Sequence, residues 1–340
     1  MTKLLKSLHR LAKSFCASAL LFPMAALAAA PQLTIVTMPT NVTLPEIQHA
    51  LDSLPATGGE VILPAGKIEL SEPIVLSHEN QSLRGAGDAT ILFVADNANC
   101  PAIIMGEPVN NPRHVKNLHV SDVFIDGNRA HQQRERWKLS GQEGSQICNN
   151  GITVQNVTDS TIENVTTAHT RSGGIVTTAN TQRLTVRGLN SFDNYFDGIA
   201  CFQTENCTFS NLNLHDNCGA GISLDGNFHH NVFDNAVLAG NDLGIFMRWS
   251  HDNEFRNISI RDSRHYGVFM AQNIDAAFRD KAQPDCVNNS FTQLTAGQCG
   301  KAAFRVNDVT CTNNYVSGAK FSGDVHAQLS LAMPGLLLVK

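Results

Sequence analysis

The chain has no surplus of positive charge, no apolar run long enough for a good membrane span, and no Cys/His spacing of the kind that makes a zinc site. Each absence removes a class. Lys and Arg number 25 against 30 Asp and Glu, which argues against nucleic acid as a partner. The apolar stretch from about Cys16 to Leu27 is short for a bilayer core, so no stable membrane insertion is expected. Without metal-ligand spacing, neither a metal nor another cofactor is expected.

What is present begins with an address. Lys3, Lys6, Arg10 and Lys13 precede the apolar stretch, which ends in Ala26-Leu27-Ala28. That is the pattern of a secretory signal peptide cleaved after Ala28, with the periplasm or the cell exterior as destination. Cys16 lies at the start of the stretch and not at the cleavage site, so a lipid anchor is not expected. Residues 29–340 then carry 21 positive and 30 negative side chains, a net charge of −9. Eight of the nine Cys remain. An oxidising destination permits disulfides, with Cys286 to Cys299 or Cys311 as the easiest local pairing. Buried free thiols fit as well, and connectivity does not follow from the sequence.

Repetition organises the rest. A hexapeptide of apolar residue, spacer, amide and alternating tail reads Val115–Val120, Ile162–Thr167, Phe209–Leu214, Phe233–Leu238, Phe255–Ile260 and Phe291–Ala296. In phase with it, Gly precedes a β-branched residue at 151, 174, 198, 221, 244 and 267, in steps of 23 or 24. Such a period means stacked units, each too small to bury its own core. The apolar residues alternate, so the units are strands. Stacking at about 4.8 Å turns Ile152, Ile175, Ile199, Ile222, Ile245 and Val268 into one aliphatic column, and Phe209, Phe233 and Phe255 into another. Asn164, Asn211, Asn235 and Asn257 fall where the chain must turn, and Asn tolerates that backbone. The expected fold is all-β: a single-chain parallel β-helix.

The parse is a signal peptide over 1–28, an N-terminal segment and capping helix over 29–56, the β-helix over 57–325 and a C-terminal cap over 326–340. Leu44, Ile47, Leu51 and Leu54 have helical spacing, with Thr43 as N-cap and Pro45 in the first turn. A helix there would cover the unpaired strand edges at the end of the stack. The apolar tail Leu329–Val339 reads as packing on the last coil. The period breaks twice, over 129–148 and over 273–288, the second taking the step from Gly267 to an equivalent Ala302. Loops on one face of a solenoid usually frame the binding face.

The helix at 44–54, the segment Gly58-Gly-Glu-Val-Ile-Leu-Pro-Ala-Gly66, Leu83-Arg-Gly-Ala-Gly87 and the turn at 120–128 make residues 43–320 resemble the pectate-lyase-like β-helix superfamily. The resemblance implies a right-handed β-helix and an exported protein that acts on or binds a uronic-acid-type or other polysaccharide; an acidic, uronic-acid-containing glycan is the expected partner and a monomer the expected state. It implies no particular activity, because one scaffold hosts many sites. Asp197 precedes its Gly as in polygalacturonase-like hydrolases, but Gly219-Ala220 and Leu243 stand where those enzymes need further carboxylate and His groups. The motif of alginate C5-epimerases is replaced by Val176-Thr177-Thr178. The Asp cluster with which pectate lyases bind calcium has no counterpart.

The strand phase selects the groove. Outward positions beside the Gly-marked strand include Asp197, Phe202, Asp225, Phe246, Arg248, Tyr266 and Phe269. Asp225 and Arg248, 23 residues apart, should pair, leaving Arg248 to neutralise a uronate carboxylate. His265 and Tyr266 are groups that β-elimination or C5 epimerisation needs for proton transfer. Asp197, Asp225, Arg248, His265 and Tyr266 are therefore the catalytic candidates. Phe202, Phe246, Phe269, Arg134, Arg171 and Arg264 are the candidate substrate contacts. Asp197 and Asp225 lie five strand positions apart in phase, roughly 15 Å, too far for a carboxylate pair that hydrolyses a glycoside. The leading expectation is thus a lyase or epimerase. A non-catalytic glycan-binding or cell-surface assembly module and a glycoside hydrolase stand as alternatives.

Overall fold

A computed structural model describes residues 33–135, 148–272, 285–322 and 329–339. The expected signal peptide lies outside the described residues, as do most of the two insertions. The described residues all fall in one compact unit, Leu33–Lys340. They form a parallel β-solenoid of about 12 turns. Three sheets run along it, of 16, 10 and 6 strands. No helix among the described residues is long and apolar enough to cross a membrane.

The 10-stranded sheet carries the Gly marker. Ile152, Ile175, Ile199, Ile222, Ile245 and Val268 are in register and fully buried. The glycines are required by close approach. A Cβ on Gly198 would stand 2.8 Å from the Gly221 carbonyl oxygen and 3.2 Å from Leu214 Cβ in the core. On Gly244 it would stand 2.4 Å from the Gly267 oxygen. The Gly corner therefore points inward, and the residue before it points outward.

The 16-stranded sheet holds the Phe column. Phe209, Phe233, Phe255 and Phe291 stack with centroids 4.5, 5.3 and 4.5 Å apart. All are buried to 1% exposure or less, and replacing one by Ala would cost about 3–5 kcal/mol. Asn164, Asn211, Asn235 and Asn257 adopt φ of 51–57° at the expected turns. Asn235 donates to Asn211 Oδ1 at 2.7 Å, one coil below.

Two readings of the repeat need correction. Val120 pairs with Ile162, so the first-coil equivalent of 162–167 is 120–125. The hexapeptide at 115–120 is out of phase: Val115 pairs with Val157 in the six-stranded sheet. Tyr266 pairs with Ala302 and Val268 with Phe304, so Gly267 corresponds to Ala303 rather than Ala302. The insertion is one residue longer than the sequence phase suggested.

The helix spans Leu44–Asp52 and buries Ile47 and Leu51. Thr43 donates its N–H and its hydroxyl to Glu46 at 2.8 and 2.7 Å, which closes the N-terminus. At the other end, Leu329–Leu331 pairs with Phe304–Val306, and Leu337–Val339 with Asn314–Val316. The tail packs as expected by adding a strand to each of two sheets.

Candidate functional site

The outward face of the Gly-marked sheet changes character along the stack. In its earlier coils Thr153, Val176 and Ala200 are buried. In the later coils Ser223, Phe246, Arg248 and Phe269 are half-buried. The later coils therefore hold the more open part of the groove.

Asp225 and Arg248 meet as expected. The guanidinium Nε donates to Asp225 Oδ2 at 2.9 Å, and Nη2 reaches the same oxygen. The Gly226 N–H donates to the other carboxylate oxygen at 2.7 Å. Arg248 Cζ lies 5.9 Å from the centre of the Phe246 ring. Phe246 stacks on Phe269 at 6.1 Å, and Phe269 meets Tyr266 at 5.1 Å. These side chains form one continuous surface.

The five catalytic candidates do not form one centre. Arg248 pairs with Ala271 across the sheet, five residues from Tyr266, so about 16 Å separates them along the strand. Asp197, three coils before Tyr266 on the same edge, is about 14 Å away along the axis. The sheet instead offers two edges. One carries Asp225 and Arg248. The other carries Asp197 and, further along, His265 and Tyr266.

His265 is not alone on its edge. Its Nδ1 lies 2.8 Å from Asp242 Oδ1. With Asp242 accepting from Nδ1–H, Nε2 is the basic nitrogen. Lys301 Nζ lies 5.5 Å from the centre of the Tyr266 ring. Asp242 and Lys301 were not singled out from the sequence. Asp242 is 23 residues before His265, one period, so the ruler could have found it. Lys301 hydrogen-bonds through its N–H to the His265 carbonyl at 2.7 Å, but 36 residues separate them, and the insertion hides that relation. Arg264 shares this edge, with its Nε 3.5 Å from the same Asp242 Oδ1. Its Nη atoms donate to the carbonyls of Gly240, Asn217 and Cys218 at 2.7–3.0 Å, fastening neighbouring corners.

Asp197 has a different setting. It borders a small cavity of about 150 Å³ lined by Asn150, Ser172, Val176, Phe196 and Phe202 among others. The Ala220 N–H donates to Asp197 Oδ1 at 2.6 Å, and Ser223 also hydrogen-bonds to it. The residue keeps some surface, yet its carboxyl lies deep among surrounding atoms. Burial lifts its pKa to about 6, against those hydrogen bonds. Near this end Arg171 Cζ lies 3.9 Å from the centre of the exposed Tyr195 ring, and its Nη1 is buried with no hydrogen-bond partner. Arg134 is exposed.

The family model described as periplasmic copper-binding protein (NosD) matches residues 125–324, more than half of the chain. The chain belongs to the NosD family. No curated protein matches it. Among solved structures, this NosD-family chain is similar to the A-module of a mannuronan C-5 epimerase from Azotobacter vinelandii, at 16% identity and a TM-score of 0.61, covering 87% of this chain and 93% of that one. An alginate lyase from Paenibacillus is 10% identical with a TM-score of 0.62, covering 87% and 99%. A tailspike of Escherichia coli bacteriophage HK620, solved with a pentasaccharide, is 13% identical with a TM-score of 0.61, covering 90% and 57%. At these identities the likeness is one of fold.

Proposed function

We propose that this NosD-family chain is an exported enzyme that removes the C5 proton of a uronic acid in an acidic polysaccharide, as a lyase or an epimerase. The observation that carries the reading is the Asp242–His265 pair beside Tyr266 and Lys301, on the rim of the half-open face. An imidazole oriented by a carboxylate is a general base. Lys301 supplies a cation for the sugar carboxylate and for the enolate-like charge that develops on it. Tyr266 supplies the second proton-transfer group.

In the elimination the C5–H proton goes to His265 Nε2. The electron pair forms the C4=C5 double bond, the C4–O bond breaks, and Tyr266 protonates the departing oxygen. In epimerisation the intermediate is reprotonated at C5 from the opposite face. Phe246 and Phe269 offer apolar surface to sugar rings, and Arg248, held by Asp225, takes the carboxylate of a uronate further along the chain. The solved relatives named for mannuronan epimerisation and alginate lysis support an acidic glycan as the substrate class.

The family description also names copper. Among the described residues no three His, Cys, Asp or Glu side chains are arranged to hold a metal ion. In the densest His group, His251 Nδ1 lies 2.7 Å from Asp252, and His229 Nε2 lies 3.5 Å from Glu205. The described residues do not fit a copper centre, and no step runs through one.

The test is incubation with a panel of polyuronates, including alginate and pectate. Elimination raises the ultraviolet absorbance of the unsaturated uronate, and epimerisation changes the ratio of sugar epimers. New reducing ends without either signal would replace this reading with a hydrolase. Binding without any turnover would replace it with a glycan-binding module.

A further inference from the structure

A buried amide ladder fixes the register of the last coils. Asn253 donates to Asn289 Oδ1 and Asn289 to Asn314 Oδ1, each at 3.0 Å. Each amide also donates to a carbonyl three residues ahead of the preceding Asn. Asn289 reaches Ser250 O, and Asn314 reaches Cys286 O, both at 2.9 Å. The position three residues before the ladder Asn is thus Ser250, then Cys286, then Cys311. The two cysteines hold equivalent places in successive coils.

Equivalent residues of adjacent coils follow the strand spacing of about 4.8 Å. That falls within the Cα separation a disulfide spans, about 4.4–6.8 Å. Both are free thiols in this structure and fully buried, and each shifts the acidity of the other. Cys299, the rival partner, sits at the Gly-marked corner. Its Sγ is 3.3 Å from where a Cβ on Gly267 would stand, and it donates to the Gly297 carbonyl.

We propose that Cys286 and Cys311 form a disulfide that ties the last coils together, at the end of the second break in the period. Two thiols lose two protons and two electrons, and the S–S bond forms. A disulfide oxidant, glutathione disulfide or a protein disulfide, takes both and is cleaved to two thiols. Both sulfurs are buried, so the bond forms before these coils finish packing. In the cell the bond needs the oxidising destination inferred from the leader. The test does not, so a failure of export is distinguishable from a failure of the pairing.

The full chain is refolded in an oxidising glutathione buffer, denatured without reductant, alkylated and cut with trypsin. The expected product is peptide 282–301 joined to peptide 306–320, two mass units below the sum of the two thiol peptides. Peptide 282–301 holds both Cys286 and Cys299, so the variant Cys299→Ser is run beside it and should keep the link. Loss of the link in Cys299→Ser, or alkylation of both Cys286 and Cys311 in the refolded wild type, overturns the proposal. Neither outcome depends on a Cys286 or Cys311 variant that might fail to fold.

Discussion

Asp197 and Asp225 sit at opposite edges of one sheet and are held in opposite ways. Asp225 has a cation, with the Arg248 guanidinium on one of its oxygens. Asp197 has only neutral donors, the Ala220 N–H and the Ser223 hydroxyl. Neutral hydrogen bonds do not offset the desolvation of a charge as an adjacent cation can, and the Asp197 carboxyl rises to about 6. The ion-paired edge is arranged to hold a charge in place. The other edge, where Asp242 orients His265, is the one that moves protons in the proposed reaction. The comparison teaches that outward polar residues of one groove need not share one task.

Substitutions can break this comparison. The largest expected effect is at the proton-moving edge. His265→Ala should lower kcat by about 10²–10⁴-fold while leaving the melting temperature within a degree or two, since His265 is half exposed. Turnover kinetics beside a thermal melt check it; a kcat within threefold of wild type would remove His265 from the chemistry.

Asp197→Asn probes the buried carboxyl through stability. The fold favours the protonated form, so the native state binds more protons than the unfolded chain between pH about 4 and 6. Stability from this group is therefore lost as pH rises through that window and is not regained above it. A rise from 3.8 to about 6 corresponds to about 3 kcal/mol at most. The Asn variant keeps a hydrogen-bond acceptor and should be the more stable protein at pH 8. Denaturant midpoints at pH 4 and pH 8 should diverge for wild type and converge for the variant; parallel curves would contradict the assignment.

Arg248→Ala sharpens the other side. It should raise KM by about tenfold and change kcat little, because Arg248 lies about 16 Å along the strand from Tyr266. It also leaves Asp225 buried without its cation, at a cost of about 1–3 kcal/mol. A kcat loss as large as that of His265→Ala would place the chemistry at the ion pair. The smallest effect belongs to Phe246→Ala, a KM increase of about two- to fivefold from lost ring contact, read from the same kinetics.

The sequence period made much of this legible. The Phe209, Phe233 and Phe255 column and the Gly corners recur every 22 to 24 residues because each coil repeats one set of backbone contacts. Asp225 with Arg248 followed from the same ruler. The hexapeptide at 115–120 misled because its pattern, apolar residue before a left-handed amide, suits more than one corner of a coil. Lys301 was hidden by the insertion, which restarts the count at a point the sequence does not mark. The buried Asn194, Asn217 and Asn241 ladder, with links of 2.9 and 3.0 Å, keeps the period, but alternation alone does not show that an amide points inward.

The most direct test of the proton-moving edge is exchange at C5. A polyuronate substrate is incubated with the protein in deuterium oxide, and deuterium at C5, or the C4=C5 double bond that replaces it, is followed by NMR. One of these signals is expected with wild type and with Arg248→Ala at saturating substrate, and neither with His265→Ala. A polymer that binds and keeps its C5 proton with wild type, or a His265→Ala variant that exchanges it at the wild-type rate, would contradict the account.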